Sequence, residues 1–224
     1  MAAGWQWARP VLADRLAAAM PPALASQVGQ GILQELELHT LRPSELSDLH
    51  RARIGAAFAG LQAPHEGTPR HRLLFRSGSA GATAFTLPSG DIILTDALVL
   101  ALPDDGAVLA VLAHELGHLQ HRHMLPRLMQ EAMVPAGASL LARDPDWLAS
   151  RVAARAPQLA LGQQSEIDAD KYAADLLEHN GLSLRVLEEA PRALSATHRH
   201  RDAYLALHPF SGERQASLRE RAGH

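Results

Sequence analysis

The run His114-Glu115-Leu116-Gly117-His118 decides how this chain is read. On an α-helix, positions four apart lie one turn apart on the same face, so the two imidazoles project together. That spacing lets both rings bind one zinc ion. It also sets Glu115 beside them, able to act on water rather than on the metal. The flanks favour a helix. Pro103-Asp104-Asp105 supplies a start signal, and Gly106–Ala113 is apolar enough to be buried. A buried helix is the rigid support that a metal site requires.

A catalytic zinc keeps three protein ligands and one open position. The chain has no cysteine, so the third ligand must be His, Asp or Glu. Residues 165–177 have helical composition and run toward Asn180-Gly181, a C-cap signal. Glu166 and Asp170 are four apart and share a face. Glu166 could bind the metal, and Asp170 could hold a ligand histidine or a nearby arginine. Acidic residues in a first helical turn are also commonly solvated and favoured by the helix dipole. Taken alone, the stretch leaves both readings open.

It does not stand alone. His114–His118 followed by Glu166-Ile167-Asp168-Ala169-Asp170 resembles the HtpX-like and CaaX-prenyl-protease family of zinc metallopeptidases, which are gluzincins. Residues 84–98, AFTLPSGDIILTDAL, resemble that family's N-A-F segment followed by a turn, a strand and a helix start. Residues 208–214, HPFSGER, resemble its H-P-x-x-x-x-R element. All four stretches occur in the family's order. The resemblance implies three zinc ligands, His114, His118 and Glu166, with water at the fourth position. It implies Glu115 as general base, His208 as stabiliser of the oxyanion, and Asp170 and Arg214 as supports. Thr83 stands where the family usually has Asn, Gln163-Gln164 where a Ser-Arg pair is common, and Ser89 where Gly is common. None of these departures removes a ligand or the base.

The implied chemistry is peptide hydrolysis. Zinc bound in such an open site makes hydroxide available near neutral pH. Glu115 accepts a proton from water and returns it to the leaving amine. A peptide substrate must be held extended, and an edge strand does so by accepting it as one more strand. Thr83-Ala84-Phe85-Thr86, with Pro88 near its end, suits an exposed edge. The expected partners are therefore polypeptides, extended or unfolded, and the expected role is protein quality control. Two other classes stay open. One is a proteolytically weak or latent zinc protein acting as chaperone or adaptor, against which Glu115 argues. The other is a non-peptidase zinc hydrolase such as an amidase, against which the edge-strand segment argues.

Composition narrows the class further. The 224 residues suffice for one good core and a helical appendage. With 47% apolar and 20% charged residues, the chain reads as an ordinary globular protein. A formal net charge of −3 gives no polyelectrolyte signature, so nucleic acid is not an expected partner. No apolar run reaches the roughly 18 residues of a transmembrane helix. Met1–Asp14 contains Trp5, Trp7 and Arg9 but no apolar signal-peptide core. The expected setting is periplasmic or membrane-anchored through a segment outside this chain, with a cytoplasmic protein as the alternative. Oligomeric state is not legible.

Along the chain, Val11–Met20, Ala23–Leu38 and Ser44–Leu61 read as helices. They make residues 1–69 an N-terminal helical layer on a catalytic unit, 70–224, with Ala63–Arg70 as connector. His71–Arg76, Ala82–Leu87 and Asp91–Leu94 read as strands, and Thr95 opens a helix through Leu100. The zinc helix spans about Asp104–Met124, which carries His121 and His123 away from His114 as surface or ligand-supporting histidines. Pro126–Arg155 reads as helical pieces forming a flap or wall over the cleft, with Trp147 as a packing aromatic. Ser183–Thr197 and Ser211–Arg221 are the closing helices. The fold class is α+β, helix-dominated. With the resemblance, it is a zincin-like metallopeptidase with a small sheet of about three strands.

Overall fold

Prolines divide the N-terminal third. In the computed structural model, which describes residues 2–64, 67, 69–136, 149–150, 152–153, 155–196 and 203–223, α1 (Ala2–Ala19) stops before Pro21-Pro22. Pro22 then opens α2 (Pro22–His39), where its missing N–H costs nothing. A short strand, β1 (Leu41–Pro43), precedes α3 (Asp48–Ala59), whose first turn is capped by the Ser47 hydroxyl accepting from the His50 N–H.

Three more strands complete the sheet: β2 (Arg72–Gly78), β3 (Ala84–Thr86) and β4 (Asp91–Thr95). Their order is β1-β2-β4-β3, with β2 and β4 parallel and the other pairs antiparallel. The sheet has four strands rather than about three. The additional strand is three residues long and ends in proline, too short for alternation to register. Pairing of Leu41 with Gly78 and of Pro43 with Arg76 fixes it, at an edge where proline is tolerated.

β4 is buried along its length, and its side chains alternate between two cores. Ile92 and Leu94 join Ile54, Phe58 and the apolar residues of α5 (Asp105–Gln120). Ile93 joins Ile32 and Leu36 of α2 and Leu41 of β1, together with Leu125, Leu128 and Met129 of α6 (Met124–Ala136). Residues before position 69 therefore enter both cores, and the sheet itself spans that position.

α4 (Asp96–Ala101) and α5 each begin at a side-chain cap, Thr95 for one and Asp104 for the other. A 3-10 turn, Ala156–Gln158, and α7 (Gln163–His179), α8 (Arg185–Ala196), α9 (Tyr204–Leu207) and α10 (Gly212–Ala222) follow α6. α6 forms the first part of the expected wall. Residues 137–148, Trp147 among them, lie outside the described residues. The molecule is helix-dominated with a small mixed sheet. Among the described residues, no helix is long and apolar enough to cross a membrane.

α5 and α7 carry the site, and a glycine sets their distance. A Cβ on Gly117 would lie 2.8 Å from the Ala169 carbonyl oxygen and 2.9 Å from its Cα. Only glycine permits that backbone approach, which brings Glu166 and Asp170 of α7 against the His114–His118 face of α5.

Candidate metal centre

The cap at Asp104 sets the phase of α5, and its apolar stretch buries His114, Glu115 and His118. His114 and His118 turn their Nε2 atoms toward one point, 2.9 Å apart. Glu166, in the first turn of α7, brings Oε2 to 3.3 Å from His114 Nε2 and Oε1 to 3.4 Å from His118 Nε2. His208, which caps the C-terminus of α9, completes the group. Its Nδ1 lies 3.3 Å from His114 Nε2, 3.2 Å from His118 Nε2 and 3.2 Å from Glu166 Oε1. All four residues are buried.

Apart from the closer His114–His118 pair, these separations, 3.2–3.4 Å, are near the edges of a tetrahedron. Bonds of about 2.0–2.1 Å to a central cation put the donors roughly 3.3–3.4 Å apart. The donors' surroundings agree. His114 Nδ1 lies 2.8 Å from the Asp170 carboxylate, which can only accept, so Nδ1 carries the proton and Nε2 offers a lone pair. His118 Nδ1 is similarly engaged by His123 Nδ1 at 2.9 Å. Two imidazole nitrogens and a carboxylate converging in a buried space are the donor set of a metal site.

A second layer holds this cluster. Arg214, capped into α10 by the Ser211 hydroxyl, donates from Nε and Nη2 to the two oxygens of Asp170 at 2.7 and 2.8 Å. Its Nη1 donates to Glu166 Oε2 at 2.8 Å and to the Pro209 carbonyl at 2.9 Å. One guanidinium thus fixes a candidate ligand, the acceptor behind another, and the turn that carries His208. Burial opposes ionisation of Asp170, but Arg214 and His114 outweigh it and hold its pKa below the ordinary value. Burial also opposes a charge on His114, yet its bonds to Asp170 and Glu166 raise its pKa to about 9 in the metal-free protein. Burial drives His118 well below the ordinary histidine value.

Glu115 differs from every other carboxylate here. It is fully buried, and neither of its oxygens has a hydrogen-bond partner among the described residues. His208 Nε2 stands 3.2 Å from Oε1 but is misaligned, and is itself unpartnered. Desolvation raises the pKa of Glu115, partly offset by His208 and His114. A carboxylate that binds a proton more readily than usual, beside the donor cluster, suits a general base.

The structure brings His114, Glu115, His118, Glu166, Asp170, His208 and Arg214 together. It differs from expectation in three respects. His208 Nδ1 stands within the donor cluster itself. The zinc helix ends at Gln120 rather than near Met124, and Arg122 takes a left-handed conformation, φ 55°, which sets His123 against His118 as one of the ligand-supporting histidines. The third concerns residues 83–86.

Among the described residues β3 pairs only with β4, but the expected exposed edge is buried: Thr83, Ala84, Phe85 and Thr86 are 0%, 0%, 1% and 3% accessible. α5 packs against β3, and Phe85 is buried with α2 and α6. Thr83 and Leu87 bond to β4, so Ala84 and Thr86, in the alternate register, direct their N–H and C=O groups away from it, into buried surroundings.

One contributor escaped sequence reading. Tyr204 is buried and stacks on His208 with ring centroids 4.6 Å apart. The signal was the four-residue spacing of Tyr204 and His208, hidden because α9 is a single turn.

A model described as peptidase family M48 matches residues 45–222, a span that contains every residue of this cluster. No curated protein matches the chain.

Proposed function

The chain belongs to peptidase family M48, the HtpX- and CaaX-protease-like metallopeptidases, and from that premise we propose that it is a zinc endopeptidase of the gluzincin type, cutting extended or unfolded polypeptides. One observation carries the reading. A cluster of three histidines and a glutamate lies beside a buried carboxylate, Glu115, that has no hydrogen-bond partner among the described residues.

In this reading His114, His118 and Glu166 would hold one zinc, which when bound would supply Lewis-acid polarisation of the scissile carbonyl and lower the pKa of water. Glu115 takes the proton from water and delivers it to the departing amine. Asp170 keeps the His114 proton on Nδ1, and Arg214 offsets the two adjacent carboxylates. Once uncovered, the N–H and C=O groups of Ala84 and Thr86, which are buried in this structure, would hold the substrate by its main chain. Main-chain recognition is indifferent to sequence and demands an extended segment. It therefore favours unfolded protein, and protein quality control is the role that fits. The test compares wild type with Glu115→Gln: zinc content should be equal, while cleavage of an unfolded protein falls by several orders of magnitude.

The position of His208 favours a qualification. Were His208 Nδ1 to bind the metal as a fourth donor, it would take the place of water and hold activity low. Turnover then requires His208 to withdraw, after which it can serve as the oxyanion donor. Holding activity low until substrate arrives also accommodates a chaperone-like binding role. A His208→Ala protein that binds zinc and cleaves faster than wild type supports latency; one slowed about 10²–10³-fold supports a purely oxyanion role.

A further inference from the structure

The C-terminal end of α5 has a specific hydrogen-bond pattern. The Arg122 N–H donates to the Leu119 carbonyl at 3.1 Å, and the His123 N–H donates to the His118 carbonyl at 3.0 Å. Arg122 itself is left-handed, φ 55°, one residue past the cap at His121. This is a Schellman motif, in which the second residue past the cap bonds back to the third residue before it. The motif ordinarily brings a hydrophobic pair together at those two positions. Here the pair is His118, a candidate metal ligand, and His123. Their rings meet edge to face, with the Nδ1 atoms 2.9 Å apart.

Resting on the metal-site reading, we infer that this helix end is built to support the metal. His123 is a positioning residue. Its ring, protonated on Nε2, accepts the Nδ1 proton of His118 and so fixes Nε2 of His118 as the nitrogen offered to the cation.

The proton count requires that assignment. Two facing ring nitrogens form a hydrogen bond only if one carries a proton and the other a lone pair. His118 turns Nε2 into the donor cluster. To offer a lone pair there, a neutral His118 must keep its proton on Nδ1. His123 Nδ1 is then the acceptor, and the ring's own proton sits on Nε2. The His121 ring stacks on that of His123, with centroids 5.2 Å and planes 18° apart, and steadies it.

Charge explains why the support is an imidazole. Among the described residues, the site buries three carboxylates, Glu115, Glu166 and Asp170, with one guanidinium, Arg214. A carboxylate behind His118, matching Asp170 behind His114, would add a fourth negative charge in a poorly solvated space. A neutral imidazole orients the ligand and adds none. The backbone bond from His123 to His118 serves the same end, because it holds the supporting ring in register with the ligand whatever the solvent does.

The test is a zinc titration against a competing chelator, on the whole chain. His123→Leu keeps the hydrophobic contact usual in this motif, so the metal-free protein should unfold at the wild-type urea midpoint. Its zinc affinity should nevertheless fall about 10–100-fold. His123→Asn, whose side-chain oxygen can accept the same proton, should recover most of that loss. Arg122→Gly takes the left-handed conformation without strain and should leave zinc affinity within about twofold. Nitrogen-15 NMR of the zinc-loaded wild type should show His123 protonated on Nε2 and bare on Nδ1; this measurement decides if the His123 variants do not fold. Unchanged zinc affinity in His123→Leu, equal losses in His123→Leu and His123→Asn, or a proton on His123 Nδ1 in the zinc-loaded protein overturns the positioning role and leaves the metal site intact. Failure of the wild type to bind zinc overturns both.

Discussion

Arg214 illustrates how much a single residue holds at this site. Its guanidinium is the common partner of Asp170, Glu166 and the Pro209 carbonyl, and its side chain is 5% accessible. Arg214→Ala leaves two buried carboxylates without their cation. Such a change costs about 3–5 kcal/mol, which urea denaturation of the metal-free protein would register; unchanged stability would mean that the carboxylates find other partners. Asp170→Asn removes the charge behind His114 and should weaken zinc binding by about 10–100-fold in a competition titration. His114 gives the metal-free protein a pH signature. Its folded pKa, about 9, exceeds the unfolded value near 6.5, so its stabilisation is complete below about pH 6.5 and is lost as pH rises through 9. Zinc takes the place of the Nε2 proton, so the increase in melting temperature on adding zinc should grow across that window. A constant increment would show that His114 does not exchange a proton for the metal. Much at this scale was legible. Glu166, Asp170 and Arg214 were found from spacing and resemblance. Spacing could not reveal which ring nitrogen of His208 faces the cluster, since that depends on how Tyr204 and the Pro209 turn orient the ring.

At the scale of elements, the α5–α7 contact decides whether the site assembles. Gly117→Ala would set a methyl within 3 Å of the Ala169 backbone and push α7, with Glu166, away from the His pair. The expected cost is about 1–3 kcal/mol, accompanied by weaker zinc binding. Gly55→Ala in α3 is the control. Nothing lies within 4 Å of its added Cβ, so the higher helix propensity of alanine should stabilise by about 0.5–1 kcal/mol. Two glycine-to-alanine changes in helices should thus act with opposite signs in one denaturation series. If both stabilise, the helices are not held apart by that contact. The sequence made most elements readable because caps and turn residues mark their ends: Thr95, Asp104, Ser211, and the Pro88-Ser89-Gly90 turn. It failed where tertiary pairing alone defines an element, as in β1. It also failed at the end of the zinc helix, where Arg122, a non-glycine residue, turns left-handed.

For the whole molecule, helices on both sides of a small sheet bury β3 beside the donor cluster. The N-terminal helices are part of that enclosure through Ile32 and Leu36, as the sequence reading of a helical layer packed on the rest of the chain leads one to expect. On the proposed reading, burial of the whole donor cluster and the approach of His208 as a fourth donor would together restrain a water-activating centre. His208→Ala should accordingly retain zinc and raise a low basal rate. The most direct measurement is cleavage of an unfolded protein such as casein by zinc-loaded wild type, Glu115→Gln and His208→Ala, with zinc content determined on the same samples. The account predicts one zinc per chain in all three, slow cleavage by wild type, faster cleavage by His208→Ala, and loss of several orders of magnitude in Glu115→Gln. Equal cleavage by wild type and Glu115→Gln, or no cleavage by wild type and His208→Ala at full zinc occupancy, would contradict it.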